Sequence, residues 1–186
     1  MSDVTDLYLR SLDEFDKRVG EITDDQWSDP TPCTDWNVRD LVNHVTGEDL
    51  WAPLLLEGKT LEEVGDRFDG DLLGDDPVGV WARARDGARK VIDGWTGQPV
   101  HTSMGQIPAE EYVAQLFADH LIHAWDLARG IGADEELDPD LVGECYRLSL
   151  PHEEVMRASG VFGTRVVPPA GAGPQERLLA LYGRRA

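Results

Sequence analysis

Residues 109–132 constrain this chain more than any other stretch. Tyr112, Val113, Leu116, Phe117 and Leu127 recur at helical spacing, so the segment reads as one long helix closing at Gly130 or Gly132. Gly132 suits the left-handed position that ends a helix. Into this apolar helix the sequence sets Asp119, His120, His123 and Asp126. Asp119 and His123 are one turn apart and project from one face, with His120 and Asp126 close to it. A carboxylate and an imidazole at that spacing can share a cation but cannot complete a tetrahedral site. A third ligand must come from another helix, so the chain has to pack helix on helix around this segment.

The rest of the sequence supplies the other helices. Leu7, Leu9, Leu12, Phe15, Val19 and Ile22 mark a first helix over 4–22, capped by Asp3 or Thr5. Prolines 30 and 32 open a loop, and Asn37 then caps a second helix with Asp40 at its third position. That helix carries Val38, Leu41, Val42, Val45, Leu50 and Trp51 and stops at Gly58, with Pro53 expected to kink it or end it early. His44 lies on or beside its apolar stripe and should face other helices. Residues 59–76 are rich in Gly and Asp and read as a long surface connection with a short helix within 61–68. Pro77 opens a third long helix through Val80, Trp81, Ala84, Ala88, Val91, Ile92 and Trp95, broken at 96–99. Residues 100–108 have extended character and room for one short hairpin. A fifth helix runs from Pro139 to about Met156, interrupted by Pro151. A Pro/Gly/Ala linker over 166–174 leads to a terminal helix over 175–182. Four substantial helices argue for an all-α four-helix bundle with extra C-terminal helices. The expected organisation is a bundle over 1–160, with 161–186 as a linker and short helix packing on it.

Charge and cysteine usage exclude some function classes. Thirty-six acidic against 17 basic residues give a formal charge of −19, which repels nucleic acid and anionic membranes. A solvated acidic surface is the simplest reading, and the same background helps retain a divalent cation. Cys33 and Cys145 form no C-x-x-C pattern and point to a reducing compartment. The polar, acidic first six residues are unlike a signal peptide, and no apolar run approaches a membrane span. The expectation is a cytoplasmic protein without nucleic-acid or membrane partners.

His44 is the best third partner for the long helix. His44, Asp119 and His123 match the ligand count of a catalytic zinc site with an open position, and equally a facial triad for non-haem iron. Core histidines held by hydrogen bonds are the competing reading, and His120 competes with Asp119 as ligand. Asp126 can orient an imidazole or satisfy a backbone donor. Cys33 reads as a buried inert thiol or a nucleophile, and His101 as a surface residue, a base or a fourth ligand. Trp36 and Trp125 beside the two motifs suit core anchors. Phosphate-binding glycine motifs, H-E-x-x-H and basic stripes are absent from the sequence.

Residues 31–45, with Pro32-Cys33, Trp36, Val38, Asp40-Leu41 and His44, resemble the pattern P-C-x-x-W-x-V-x-D-L-x-x-H. His123-Ala124-Trp125-Asp126-Leu127-Ala128 resembles H-x-W-D-L-A, and residues 174–184 are similar to the same relatives. These are features of actinobacterial metal-binding proteins similar to the N-terminal domain of mycothiol-dependent maleylpyruvate isomerase, within the DinB-like four-helix superfamily. The resemblance implies a DinB-like bundle with His44, Asp119 and His123 holding a divalent metal, zinc first, with nickel or iron as alternatives. It implies a small-molecule thiol of the mycothiol type as co-substrate and a small electrophilic substrate. The cleft for them is expected near Trp36, Trp51 and His101, and a homodimer is expected. The isomerase has Glu where this chain has Asp119, one methylene shorter. Beyond Gly130 the chain is too short for the isomerase's full second domain, so no catalytic residue carries over from there. Three readings follow: a metal-dependent thiol transferase or isomerase, a non-catalytic metal-binding module for sensing, storage or structure, and a metal-free helical interaction protein.

Overall fold

The computed structural model describes residues 3–92, 94–95, 97–103, 105–158, 160 and 163–186. Thr96, in the expected helix break, and Met104, in the expected hairpin, lie outside the described residues.

Helix α1 spans Val4–Val19. The Asp3 carboxylate caps it by accepting the Thr5 N–H at 3.1 Å, and Leu7, Leu12, Phe15 and Val19 form its buried stripe. It ends one turn short of Ile22, at Gly20. Helix α2 spans Val38–Leu56 and begins on the expected reciprocal cap. The Asp40 N–H donates to Asn37 Oδ1 at 2.9 Å and the Asn37 N–H to Asp40 Oδ2 at 3.1 Å. Pro53 does not end it, because the helix runs on to Leu56.

Residues 59–76 contain only the single turn α3, Leu61–Val64, rather than a helix reaching Phe68. The rest of this connection is tied onto α2. Asn43 donates to the Gly70 carbonyl at 3.0 Å and accepts the Leu72 N–H at 2.7 Å. Arg39 holds Asp71 at 2.9 Å, and Leu73 is buried. The connection is thereby a wall set against one face of α2.

Helix α4, Pro77–Ile92, buries Trp81, Ala84, Ala88 and Ile92. Strands β1, Val100–Thr102, and β2, Gly105–Ile107, form a small antiparallel hairpin that pairs Val100 with Ile107. Helix α5 spans Ala109–Ile131 and closes on Gly132 in the left-handed conformation. Helix α6, Pro139–Ser149, gives way at Pro151 to a 3-10 turn over Leu150–His152, then to α7, Glu153–Ala158. Helix α8 spans Pro174–Leu181.

The four long helices form a ring in which α1 packs on α5 and α4, and α2 packs on α4 and α5. Helix α8 packs on α6, burying Leu178 and Leu179, and the Tyr182 hydroxyl meets Ser149 Oγ at 2.7 Å. The protein is an all-α bundle with additional helices and one short hairpin. No helix among the described residues is long and apolar enough to cross a membrane.

Helix α5 shares the ring with both α1 and α2, so it presents buried residues to two sides. His120, Leu121, Ile122, His123, Ala124, Trp125 and Asp126 are consecutive and all buried. A run like this must satisfy its polar atoms internally.

Because the reciprocal cap of α2 sets the register that places His44, its loss is measurable. Asn37→Ala is expected to cost about 1 kcal/mol in urea unfolding, the usual value of such a cap.

Candidate metal centre

Two faces of α5 carry two different polar clusters, and they separate the neighbours Asp119 and His120. His120 is completely buried, with its ring edge-on to Tyr8 at 5.3 Å and close to Phe15 and Trp81. Its Nδ1–H donates to the Leu116 carbonyl at 2.8 Å, and its Nε2 lies 3.1 Å from Asp49 Oδ1. The Tyr8 hydroxyl donates to the same Asp49 oxygen at 2.7 Å. Burial alone would lower the His120 pKa, but the Asp49 carboxylate outweighs it and raises the value. His120 is thus a core histidine paired with a buried acid, and it points away from His44.

Asp119 faces the other side, between two imidazoles. His44 Nε2 lies 3.4 Å from Asp119 Oδ2, and His123 Nε2 lies 3.4 Å from Asp119 Oδ1. The two rings are edge-to-face with centroids 5.1 Å apart. One donor atom from each of the three residues falls within 4.8 Å of the others, the spread expected of ligands around one cation. Asp119 Oδ2 is buried and accepts no hydrogen bond among the described residues. A carboxylate oxygen left that way is costly unless a cation meets it. The donor set, two imidazoles and one carboxylate, fits zinc and also iron or nickel.

Electrostatics agree with this geometry. Burial would push the Asp119 carboxyl up, but His123 and His44 together hold it well below the usual carboxylate range. Burial would depress His123, but Asp119 and Asp126 raise it well above its ordinary value. Without a metal, then, a proton on His123 sits where a cation would.

The second nitrogen of His123 is held from behind. Its Nδ1–H donates to Asp126 Oδ2 at 3.0 Å, which leaves Nε2 aimed at Asp119. This carboxylate–imidazole arrangement fixes ring orientation and raises ligand basicity in metal sites. Asp126 is itself fully buried and held by Arg184, at 2.7 Å from Nη2 to Oδ2 and 3.2 Å from Nε to Oδ1. Burial would raise Asp126, but the bonds from His123 and Arg184 lower it, so it stays ionised. The Cys33 thiol donates to Asp126 Oδ2 at 3.2 Å, lies 3.9 Å from His123 Nδ1 and accepts from Arg184 at 3.3 Å. Cys33 is therefore packed into the back of the site, half-buried.

A cleft of about 520 Å³ opens beside the triad. His44 and Trp36 are shared between the triad's surroundings and the cleft, whose far walls are Trp51, Phe68 and the 69–72 segment. Trp36 lies over His44 with centroids 4.7 Å apart and reaches His123 at 5.7 Å. Trp51 and Phe68 meet edge-to-face at 5.8 Å. Of the residues expected around the cleft, Trp36 and Trp51 line it. His101 does not. It sits on β1 opposite Gln106, because the hairpin packs elsewhere on α2.

Two participants were not singled out from sequence. Glu48 lines the cleft one turn after His44, and burial together with Asp119 raises its carboxyl pKa. The His44–Glu48 spacing mirrors Asp119–His123 and could have signalled it. Arg184 lies 58 residues beyond Asp126, at the end of the 174–184 stretch that resembles the relatives, and nothing in that stretch points it at Asp126.

Arg184→Ala and Asp126→Asn should each lower metal affinity by about 10- to 100-fold, the usual effect of removing a partner behind a ligating histidine. Competition against a chromophoric chelator measures this. Tyr8→Phe should instead cost about 1–3 kcal/mol of stability, since it leaves buried Asp49 short of a donor. Metal stoichiometry should be unchanged in that variant.

Comparison with known proteins places this geometry in a family. Two uncharacterized proteins of Mycobacterium tuberculosis, from strains CDC 1551 and H37Rv, are each 28% identical to this chain over 185 residues, covering 95% of it and 95% of the relative. No solved structure matches. The family described as the mycothiol maleylpyruvate isomerase N-terminal domain matches residues 8–128. That span holds Cys33, His44, Asp119, His123 and Asp126 but not Arg184. With well over half its length matched, the chain belongs to the mycothiol maleylpyruvate isomerase N-terminal domain family.

Proposed function

We propose that the chain binds one divalent cation, zinc first, through His44, Asp119 and His123, and acts on a small thiol and a small electrophile in the adjoining cleft. The observation that carries this reading is the Asp119 carboxylate set between two imidazoles, its buried Oδ2 without a hydrogen bond among the described residues, at the mouth of an aromatic-walled cleft. The family's description, which names mycothiol, supports a thiol of that type. A cation held there lowers the pKa of a bound thiol or water and polarises a carbonyl.

The chain's own residues contribute the rest. Asp126 and Arg184 hold His123 in the orientation that presents Nε2. Trp36 covers His44 and His123 and limits water on that side. Glu48, in the cleft wall with its carboxyl pKa raised, is the group able to take up a proton there. Three protein ligands leave room for an outside ligand, which favours chemistry over a closed structural site.

The raised pKa of His123 gives the pH dependence a definite sign. A cation at Nε2 displaces a proton that is bound at neutral pH, so affinity rises with pH and levels off above the His123 value. Calorimetry in buffers of different ionisation enthalpy should report release of about one proton per cation, as deprotonation of a ligating imidazole requires.

Elemental analysis of untagged protein should find metal in the wild type and almost none in His44→Ala or His123→Ala. Metal-free wild type would sink the proposal. Cobalt-substituted protein should change its visible spectrum when a small thiol is added. A cobalt spectrum that no thiol perturbs would return the site to storage, sensing or structure.

A further inference from the structure

The cleft beside His44 is lined by carboxylates and aromatic side chains, and by no lysine or arginine. Asp35, Asp40, Glu48 and Asp69 face it with Trp36, Trp51 and Phe68, and neither Lys nor Arg is among the lining residues. The nearest basic side chains in sequence are committed elsewhere. Arg39 is engaged by Asp71 and the Gly74 carbonyl, and Arg67 by the Val64 and Glu63 carbonyls. Asp40 is partly occupied by its cap bond to Asn37, whereas Asp35 and Asp69 stand exposed.

That lining discriminates by charge. A carboxylate-bearing ligand entering here meets acids on several sides and no donor fork of the kind that recognises carboxylates. An ammonium meets two indoles and a phenyl ring in the lining, with carboxylates at the rim. Aromatic rings and carboxylates together attract organic cations. A low-dielectric cleft with walls of one sign also concentrates the opposite charge from solution.

Resting on the thiol-and-electrophile reading of this site, we infer that the substrate admitted beside His44 carries an organic ammonium group, bound between Trp51, Phe68 and the Asp35/Asp69 rim, and that anionic substrates are refused. The ammonium occupies the outer cleft, and the reacting end of the molecule reaches toward His44.

The test uses the whole chain and two matched ligand series. In the first, cobalt-loaded protein is titrated with cysteamine, 2-mercaptoethanol and 3-mercaptopropionate, and the visible spectrum is read. Apparent affinity should fall in that order, by tenfold or more from the cation to the anion. An aminothiol can also chelate cobalt through sulfur and nitrogen, so in this arm the preference counts only as far as the double variant below removes it. In the second, metal-free protein is titrated with benzylamine and benzoate by ligand-observed NMR, and benzylamine should bind at least tenfold more tightly. The Asp35→Asn/Asp69→Asn double variant should cut the preference to threefold or less in both arms, as should raised salt. Both positions are exposed and outside the metal ligands, so folding and metal content should hold.

Equal or tighter binding of the anions would overturn the inference, and so would a cation preference untouched by the double variant. If cobalt binds but no thiol alters its spectrum, the thiol reading fails, while the metal-free arm still decides the charge preference. If cobalt does not bind, the metal reading fails and the same arm still decides.

Discussion

A carboxylate oxygen shut off from water must be met by positive charge or by donors, and Asp119, whose Oδ2 is so placed, lies between two imidazoles. Much of the site's geometry follows from that need. His44 has to come from α2, because one helix cannot surround the carboxylate. The two helices must therefore pack closely enough for their rings to touch, and they do so edge-to-face. Asp119 is one methylene shorter than the Glu that the family's isomerase is expected to carry, and His120 takes no part in the His44–Asp119–His123 group. With 3.4 Å on each side, the carboxylate already reaches both imidazoles.

The second polar cluster on α5 has a different logic. Tyr8, Asp49 and His120 sit together among aromatic rings, with Asp49 and His120 completely buried and Asp49 Oδ2 left without a hydrogen bond among the described residues. It links α1, α2 and α5 at the centre of the bundle. A buried pair like this adds little net stability over an apolar core, yet losing one partner strands the other. Its effect is to fix how α5 is rotated. With His120 locked toward Tyr8, Asp119 and His123 are turned toward α2. Adjacent residues on a helix point about 100° apart, so one anchored histidine dictates the direction of the next acid.

This explains which parts were legible in the sequence. The helices were, because their apolar spacing and caps are local. Asn37–Asp40, Asp3 and Gly132 all act where their patterns place them. The short hairpin was legible from its extended composition. The choice between Asp119 and His120 was not, since it depends on Tyr8 and Asp49, which lie on other helices. His101 shows the opposite failure. Its residue type fits a site, but β1 pairs it with Gln106 and holds it off the cleft. Arg184 was illegible because a guanidinium that reaches Asp126 from the C-terminal segment leaves no periodic mark.

Arg184 also ties two parts of the molecule that family membership keeps apart. The matched span ends at residue 128, yet the carboxylate behind His123 is held by a residue 56 positions further on. The tail is positioned by α8, which packs on α6, with Tyr182 fixed to Ser149. Order in the C-terminal helices therefore reaches His123 through three contacts in series: α8 on α6, Arg184 on Asp126, and Asp126 on His123. The two polar contacts, at 2.7 and 3.0 Å, are largely shielded from water, so salt screens them poorly. The Cys33 thiol completes the enclosure by donating to Asp126 and accepting from Arg184. Asp126 thus takes donors from the 31–36 loop, from α5 and from the tail. Protonating Asp126 would weaken all three at once. Because its pKa is depressed, their contribution is fully present above the ordinary carboxylate value and is lost only as pH falls through the lowered one. The back of the site is therefore built to stay charged as pH falls toward the usual carboxylate range, which keeps His123 Nδ1 held from behind.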